Sequence, residues 1–192
     1  MKKVQIDFSG HIQTIEEIFN HYKLLKDLIK NHFDSEKNPL FDVIFENMTS
    51  DEILKLKEEN LLELERSASF NLLALVEARF RIDFCARCDR RKRDTLSNLF
   101  REFYNPVNRI YSYSYKDQIL ANWKVAYPDI VDLINEIGQV ADYRNWLAHG
   151  RFWEFKDNLK KYTFNYIHDL TLRTEAIIWP LMEDVDMTGQ KA

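Results

Sequence analysis

The chain has 192 residues, of which 45% are hydrophobic and 30% are charged, and its formal net charge is −4 at pH 7. Four glycines and four prolines are too few for the turns of a strand-rich protein, and two cysteines exclude a disulfide scaffold. No apolar run approaches the ~18 residues of a membrane span. We therefore expect one all-α domain over residues 1–192, located in the cytoplasm and not bound to a membrane.

The first predicted helix is capped by Ser9 and follows apolar residues spaced by threes and fours from Ile12 to Leu28. The pair Asn38-Pro39 ends this helical pattern, because proline removes a backbone donor and restricts the residue before it. A short helix over residues 41–47 is expected to follow.

A long helical pattern occupies the middle of the chain. Thr49 and Glu52 form a capping-box pair, in which each side chain accepts a hydrogen bond from the other residue's backbone N–H. The apolar spacing then continues to about residue 90, either as one helix or as two helices that break near Ser67. Another helix is expected over residues 94–104.

The last third of the chain contains two predicted helices. An alternating aromatic segment over residues 110–115 is either a loop or a short strand. Pro128 and Asp129 begin a helix over residues 130–148, since proline suits the first turn of a helix. A final helix is expected over residues 159–179, ended by Pro180.

The helix over residues 130–148 carries an arginine on its apolar face. At about 100° per residue, Arg144 falls within the roughly 120° sector that holds the apolar side chains. Those side chains are Ile130, Leu133, Ile134, Ile137, Val140 and Ala141. A guanidinium in this position requires a carboxylate, a partner chain or a bound anion. Glu77 is a candidate for the carboxylate.

The end of the same helix brings a histidine toward this arginine. Gly150 is a natural helix terminator, because glycine adopts the left-handed conformation without steric cost. His149 then lies at the C-terminal cap, where its ring can turn toward Arg144. Arginine binds phosphate and histidine transfers protons near neutral pH, so the pair suits RNA cleavage without a metal. Taken singly, each residue also fits a structural role, as a helix cap or as half of an ion pair.

The segment Tyr143-Arg144-Asn145-Trp146-Leu147-Ala148-His149-Gly150 resembles the signature of the HEPN superfamily, in which a few residues, the first of them polar, separate an arginine from a histidine. It is similar in particular to a toxin-like prokaryotic branch, where an Arg-Asn pair and an Ala-His-Gly ending recur. This resemblance implies an antiparallel bundle of about four to six helices with short extra helices, and a motif near the end of a late helix.

The resemblance also implies a function. It predicts a homodimer whose two motifs face one cleft and cut single-stranded RNA without a metal or another cofactor, with Arg144, Asn145 and His149 as the catalytic residues. Such a protein acts as a toxin or as a stress or defence effector, and a nucleotidyltransferase-like antitoxin restrains it. The alternative is a non-catalytic helical dimer that binds a nucleotide or a protein partner through the same groove.

Two other groups of residues are candidate sites. A basic cluster in this acidic chain consists of Arg87, Arg90, Arg91, Lys92 and Arg93. It indicates either an RNA phosphate contact, for which the four arginines are the candidates, or a solvated helix end. The spacing of Cys85 and Cys88 matches half of a zinc site. Because no second pair follows, we expect buried thiols and no metal.

Aromatic residues surround the motif. They are Trp146, Phe152, Trp153 and Phe155. We expect these rings in the core or at the dimer interface, and one exposed ring could stack on a base.

Overall fold

The computed structural model describes residues 12–90, 92–105, 112–155 and 158–183. Over these segments the chain is all-helical and has no β-strand, which confirms the predicted fold class. The α-helices are α1 (Ile15–His32), α2 (Phe41–Ile44), α3 (Ser50–Arg90), α4 (Thr95–Phe103), α5 (Ala121–Ala126), α6 (Val131–Ala148) and α7 (Phe164–Ile177). In the described part of the chain, none of the helices is both long and apolar enough to cross a membrane.

The long helix α3 is the centre of the bundle and contacts α1, α4, α6 and α7. Its side chains show the direction of α6. Glu63 pairs with Arg151, just beyond the end of α6, whereas Glu77, further along α3, pairs with Arg144. As the residue number rises along α3 it falls along α6, so the two helices are antiparallel.

Helix α7 packs antiparallel to both α6 and α1. Glu136 near the start of α6 binds Arg173 near the end of α7, whereas the Tyr143 ring stacks on Tyr162, which precedes α7. At its start α7 also meets α1, where Phe164 stacks on Tyr22 at a centroid separation of 3.7 Å. One turn later His168 stacks on Phe19, so the residue number rises along α7 as it falls along α1. The main helices therefore form an up-and-down bundle, as predicted.

The core lies along the inner face of α3. Its largest fully buried side chains come from α3, α4, the segment before α6, α6 itself and α7. They are Leu72, Phe80, Phe84, Leu96, Phe100, Ile119, Leu120, Trp123, Ile134, Ile137, Phe164 and Ile167. Phe80 and Trp123 meet edge to face at 5.4 Å, a geometry that aromatic rings prefer. This contact packs α5 against α3.

The first helix begins later than its apolar spacing predicts. Thr14 is the N-cap of α1 and forms a capping box with Glu17, so residues 12–14 are not helical. The predicted start was wrong because the apolar spacing reaches back to Ile12, whereas the capping residue Thr14 sets the first residue of the helix. Ser9, the predicted cap, lies outside the described residues.

The predicted capping box at the start of α3 is confirmed. The Thr49 N–H donates to Glu52 Oε2 at 2.8 Å, and the Glu52 N–H donates to Thr49 Oγ1 at 3.3 Å. From there α3 runs for 41 residues as one helix, without a break at Ser67. Ser69 and Leu72 just beyond it are buried, so tertiary packing holds this part of the helix together.

Two elements of the second half differ from the prediction. A π-helical turn (Tyr115–Leu120) runs directly into α5, where no helix was predicted. Its start has a recognisable signal, because Ser114 Oγ accepts the Asp117 N–H. The last helix begins at Phe164 rather than at residue 159, because Thr163 caps it and a short 3₁₀ turn (Leu159–Lys161) precedes it.

Candidate functional site

The C-terminal end of α6 is closed by a Schellman motif. The N–H of Gly150 donates to the carbonyl of Leu147 at 3.4 Å, and the N–H of Arg151 donates to the carbonyl of Trp146 at 3.1 Å. Gly150 has a φ of +78°, the left-handed conformation that this motif requires. The predicted glycine terminator is therefore confirmed, and His149 is the C-cap residue.

Replacing Gly150 with alanine is expected to lower the free energy of unfolding by about 1 kcal/mol. A Cβ at this position meets no atom within 4 Å, so the cost comes from the backbone conformation alone. Urea denaturation would measure this loss. As a control, Gly138→Ala within α6 places its Cβ 3.9 Å from Leu120, an ordinary contact, and replaces a helix-interior glycine. Equal losses in both variants would contradict a special role for the Gly150 backbone.

His149 and Asn145 are exposed on the last turn of α6 and its cap. The His149 N–H donates to the Asn145 carbonyl at 3.0 Å, so the two residues are fixed relative to one another. The His149 ring lies 6.1 Å from the ring of Trp153, which is 37% exposed. The imidazole is thus open to solvent and flanked by an aromatic ring.

Arg144 lies between α6 and α3, as its position on the apolar face predicts. Its Nε lies 3.2 Å from Glu77 Oε2, which confirms Glu77 as its carboxylate. The N–H does not point along this line, so the contact is an ion pair rather than a hydrogen bond. The guanidinium also lies 5.5 Å from the Phe70 ring, and its Nη1 donates to Asn145 Oδ1 at 3.3 Å.

Glu77 is shared between Arg144 and a second arginine. The same carboxylate accepts a hydrogen bond from Arg81 Nε at 2.8 Å. Two guanidinium groups therefore share one carboxylate, and this group of three side chains carries one net positive charge. A partly buried positive charge of this kind can bind an anion, and the exposed His149 lies five residues after Arg144 in the sequence.

Two open clefts flank the end of α6. One, of about 430 Å³, is lined by Asn145 together with Gln139, Asp142, Trp153, Glu154, Phe155 and Tyr162. The other, of about 350 Å³, lies between α3 and the residues on both sides of His149. Its lining includes Glu63, Arg66, Ser67 and Arg151. The motif thus sits between an aromatic, acidic cleft and a cleft that contains two arginines.

Arg87 belongs to the interior and not to an RNA-binding surface. Its side chain is 4% exposed, and its Nε donates to both oxygens of Asp83 at 2.9 Å. Its Nη groups donate to Asp94 and to the carbonyl of Leu181. Because these partners hold the guanidinium inside the protein, the RNA-binding prediction is corrected at this position.

The rest of the basic cluster is on the surface where the structure describes it. Arg90 and Lys92 are exposed and pair with the buried carboxylate of Glu183 at 3.2 and 2.6 Å. Arg93 is exposed, and Arg91 lies outside the described residues. Two of these side chains thus already neutralise a carboxylate, which leaves Arg93 as the more available cation among those described.

The two cysteines are buried on the inner side of α3, as expected. Cys85 and Cys88 are free thiols, and burial raises the pKa of each to about 12. Metal ligation and nucleophilic chemistry both use the thiolate. Burial therefore disfavours either role for these residues.

Sequence reasoning did not single out Glu63, Arg66 or Arg151. Glu63 and Arg151 are 88 positions apart, so the chain gives no local sign of their contact. The sequence offered one sign that Arg151 could belong to the site, because this residue directly follows the predicted helix terminator Gly150 at the edge of the motif.

Comparisons of the chain with protein-family models, with curated proteins and with solved structures gave no match. Function is therefore inferred from the chain's own side chains at the end of α6. The resemblance of the eight-residue motif to the HEPN signature is a second source for that inference.

Proposed function

We propose that this protein is a metal-independent endoribonuclease that cuts single-stranded RNA through Arg144, Asn145 and His149. The observation that carries the proposal is the geometry at the end of α6. An exposed histidine at the helix cap is bonded through its backbone to Asn145, and Asn145 contacts an arginine that shares its carboxylate with a second arginine. Proton transfer and phosphate binding are thereby available within two helical turns.

The chemistry follows from these two side chains. His149 takes the proton from a ribose 2′-hydroxyl, and the 2′-oxygen attacks the adjacent phosphorus. The bond from phosphorus to the 5′-oxygen breaks, and the leaving oxygen accepts a proton from the partner subunit's His149. Arg144 binds the phosphate and stabilises the charge that develops on it. The products are a 2′,3′-cyclic phosphate and a 5′-hydroxyl.

A homodimer completes this mechanism, because one chain supplies one such histidine and cleavage uses both an acid and a base. Phe152 is 82% exposed and lies three residues after His149, so a large apolar side chain is presented to solvent beside the motif. Together with the half-exposed Trp153 it offers a surface that a two-fold interface can bury.

The biological class follows from the motif resemblance. It favours a cytoplasmic toxin or a stress or defence effector, whose activity a nucleotidyltransferase-like antitoxin holds in check. Away from the end of α6, the remaining candidates for contacts to RNA phosphates are Arg90, Arg91 and Arg93.

Cleavage of RNA in excess EDTA tests the proposal. The purified protein is expected to cut a labelled single-stranded oligonucleotide at an unchanged rate when divalent cations are removed, because neither reacting group is a metal ligand. The 5′ fragment is expected to end in a cyclic phosphate, seen as a mass about 18 Da, or one water molecule, below that of the corresponding 3′-phosphate. Activity that appears only with a divalent cation would contradict the mechanism.

The second candidate function is a binding module without catalysis. The ion pair between Arg144 and Glu77 favours it, because this pair gives the arginine a structural partner in the absence of a ligand. In this case the protein binds a nucleotide or a protein partner at the same cleft and leaves RNA intact. The cleavage experiment separates the two functions.

A further inference from the structure

Arg151 has a backbone conformation that its side chain does not favour. Its φ is +59°, and among the described residues it is the one non-glycine position with a positive φ. In a left-handed conformation the Cβ of an L-residue crowds the following carbonyl, so glycine or asparagine normally occupies such a place. Strain of this kind is concentrated at functional sites, where a particular side chain is required.

The Arg151 side chain lies across the cleft between α3 and the end of α6. Its Nη1 and Nη2 donate to the two oxygens of Glu63 at 2.6 and 3.1 Å, a bidentate pair. Arg66 approaches the same carboxylate at 3.8 Å, and its guanidinium lies 5.9 Å from the Trp146 ring. Two planar, fork-shaped donors therefore converge on one exposed carboxylate.

We propose that Arg66 and Arg151 form a binding site for an RNA phosphate next to the cleaved bond, and that Glu63 occupies this site when RNA is absent. The inference rests on the proposal that the protein acts on RNA. A carboxylate and a phosphate can each present two oxygens to a guanidinium group. The Glu63 carboxylate therefore occupies the place that the RNA phosphate would take. Ala148 and Gly150, on either side of His149, line the same cleft.

Charge and exposure favour exchange of Glu63 for phosphate. The cleft holds two arginines and one glutamate, so one positive charge remains unbalanced. The Glu63 side chain is 54% exposed, and an ion pair with that much solvent contributes little to folding. Glu63 can therefore swing into solvent while the arginines stay in place, Arg66 against Trp146 and Arg151 on the closed helix end.

Binding of a 2′-O-methyl single-stranded RNA, followed by fluorescence anisotropy over a salt titration, tests this site. The probe lacks the 2′-hydroxyl, so its binding is independent of cleavage. Arg151→Gly, which relieves the positive φ, is expected to weaken binding about tenfold and to reduce the salt slope by about 0.7. Arg151→Lys keeps the charge but loses the fork, and is expected to weaken binding less.

Glu63→Gln is expected to act in the opposite direction, tightening binding about tenfold, because the competing carboxylate is gone. The matched control is Glu59→Gln, one turn earlier on α3, where an exposed carboxylate pairs with Lys55 outside the cleft. That variant makes the same change in charge and is expected to alter affinity less than about twofold.

Opposite shifts for Glu63→Gln and Arg151→Gly identify a phosphate site, because a purely structural ion pair gives no reason for opposite effects. Shifts in the same direction, shifts no larger than that of Glu59→Gln, or a wild-type protein that does not bind the probe overturn the inference. Opposite changes in affinity, without cleavage of unmodified RNA, would contradict the nuclease proposal and leave the phosphate site standing. Cleavage of RNA without these changes in affinity would contradict the phosphate site and leave the nuclease proposal standing.

Discussion

Replacing His149 with alanine is expected to abolish RNA cleavage, lowering the rate by about 10²–10⁴-fold, the usual contribution of a positioned acid or base. The imidazole is exposed, so its removal creates no cavity, and the free energy of unfolding is expected to change by less than about 0.5 kcal/mol. The rate is measured with a labelled oligonucleotide in EDTA. Sedimentation is expected to show the proposed dimer for both the variant and the wild type.

His21→Ala is the matched control, since it removes an exposed histidine from α1. It is expected to leave cleavage unchanged. Arg144→Ala is expected to abolish cleavage as well. Its effect on stability takes either sign, because the change removes a partly buried charge but also one of the two arginine partners of Glu77. Wild-type cleavage by His149→Ala, or a monomer at micromolar concentration, would reject the mechanism.

The largest loss of stability is expected from Arg87→Met. Arg87 and Asp83 are 4% and 1% exposed, so removing the guanidinium leaves a buried carboxylate without its cation. Such a change costs about 3–5 kcal/mol of the free energy of unfolding, measured by urea denaturation at pH 7.5. The control Arg173→Met cuts the more exposed pairs with Glu136 and Asp169 and is expected to cost about 1 kcal/mol or less.

The pH dependence of Arg87→Met identifies the buried carboxylate as the cause. Burial already raises the pKa of Asp83 to about 6, against the attraction of Arg87, and loss of Arg87 raises the pKa further. A folded-state pKa above the unfolded value gives stability at low pH that is lost as the pH rises through it. The variant is thus expected to recover part of its loss at pH 5, and an equal loss at pH 5 and 7.5 would contradict this account.

The sequence predicted features that depend on neighbouring residues. The capping box at Thr49, the helix end at Gly150 and the inward position of Arg144 all follow from local chemistry and helical periodicity. Even Glu77 was a candidate partner, because a long amphipathic helix limits which carboxylates face the core.

Features that depend on distant contacts could not be predicted in this way. Arg87 looked like a member of a surface cluster, since its partners Asp94 and Leu181 meet it only after the chain has folded back. The contact of Glu63 with Arg151 has the same origin. The helix after Ser114 was missed because its buried residues, such as Trp123, are few and the segment is short.

The unbroken course of α3 makes chain length a constraint on the site. Glu63, Arg66, Phe70 and Glu77 lie on one helix over about four turns, and at about 100° per residue they fall within a stripe roughly 60° wide. Inserting or deleting one residue between Glu63 and Glu77 turns one end of this stripe by about 100° relative to the other. Related sequences that keep both partners of α6 are therefore expected to keep the spacing between them.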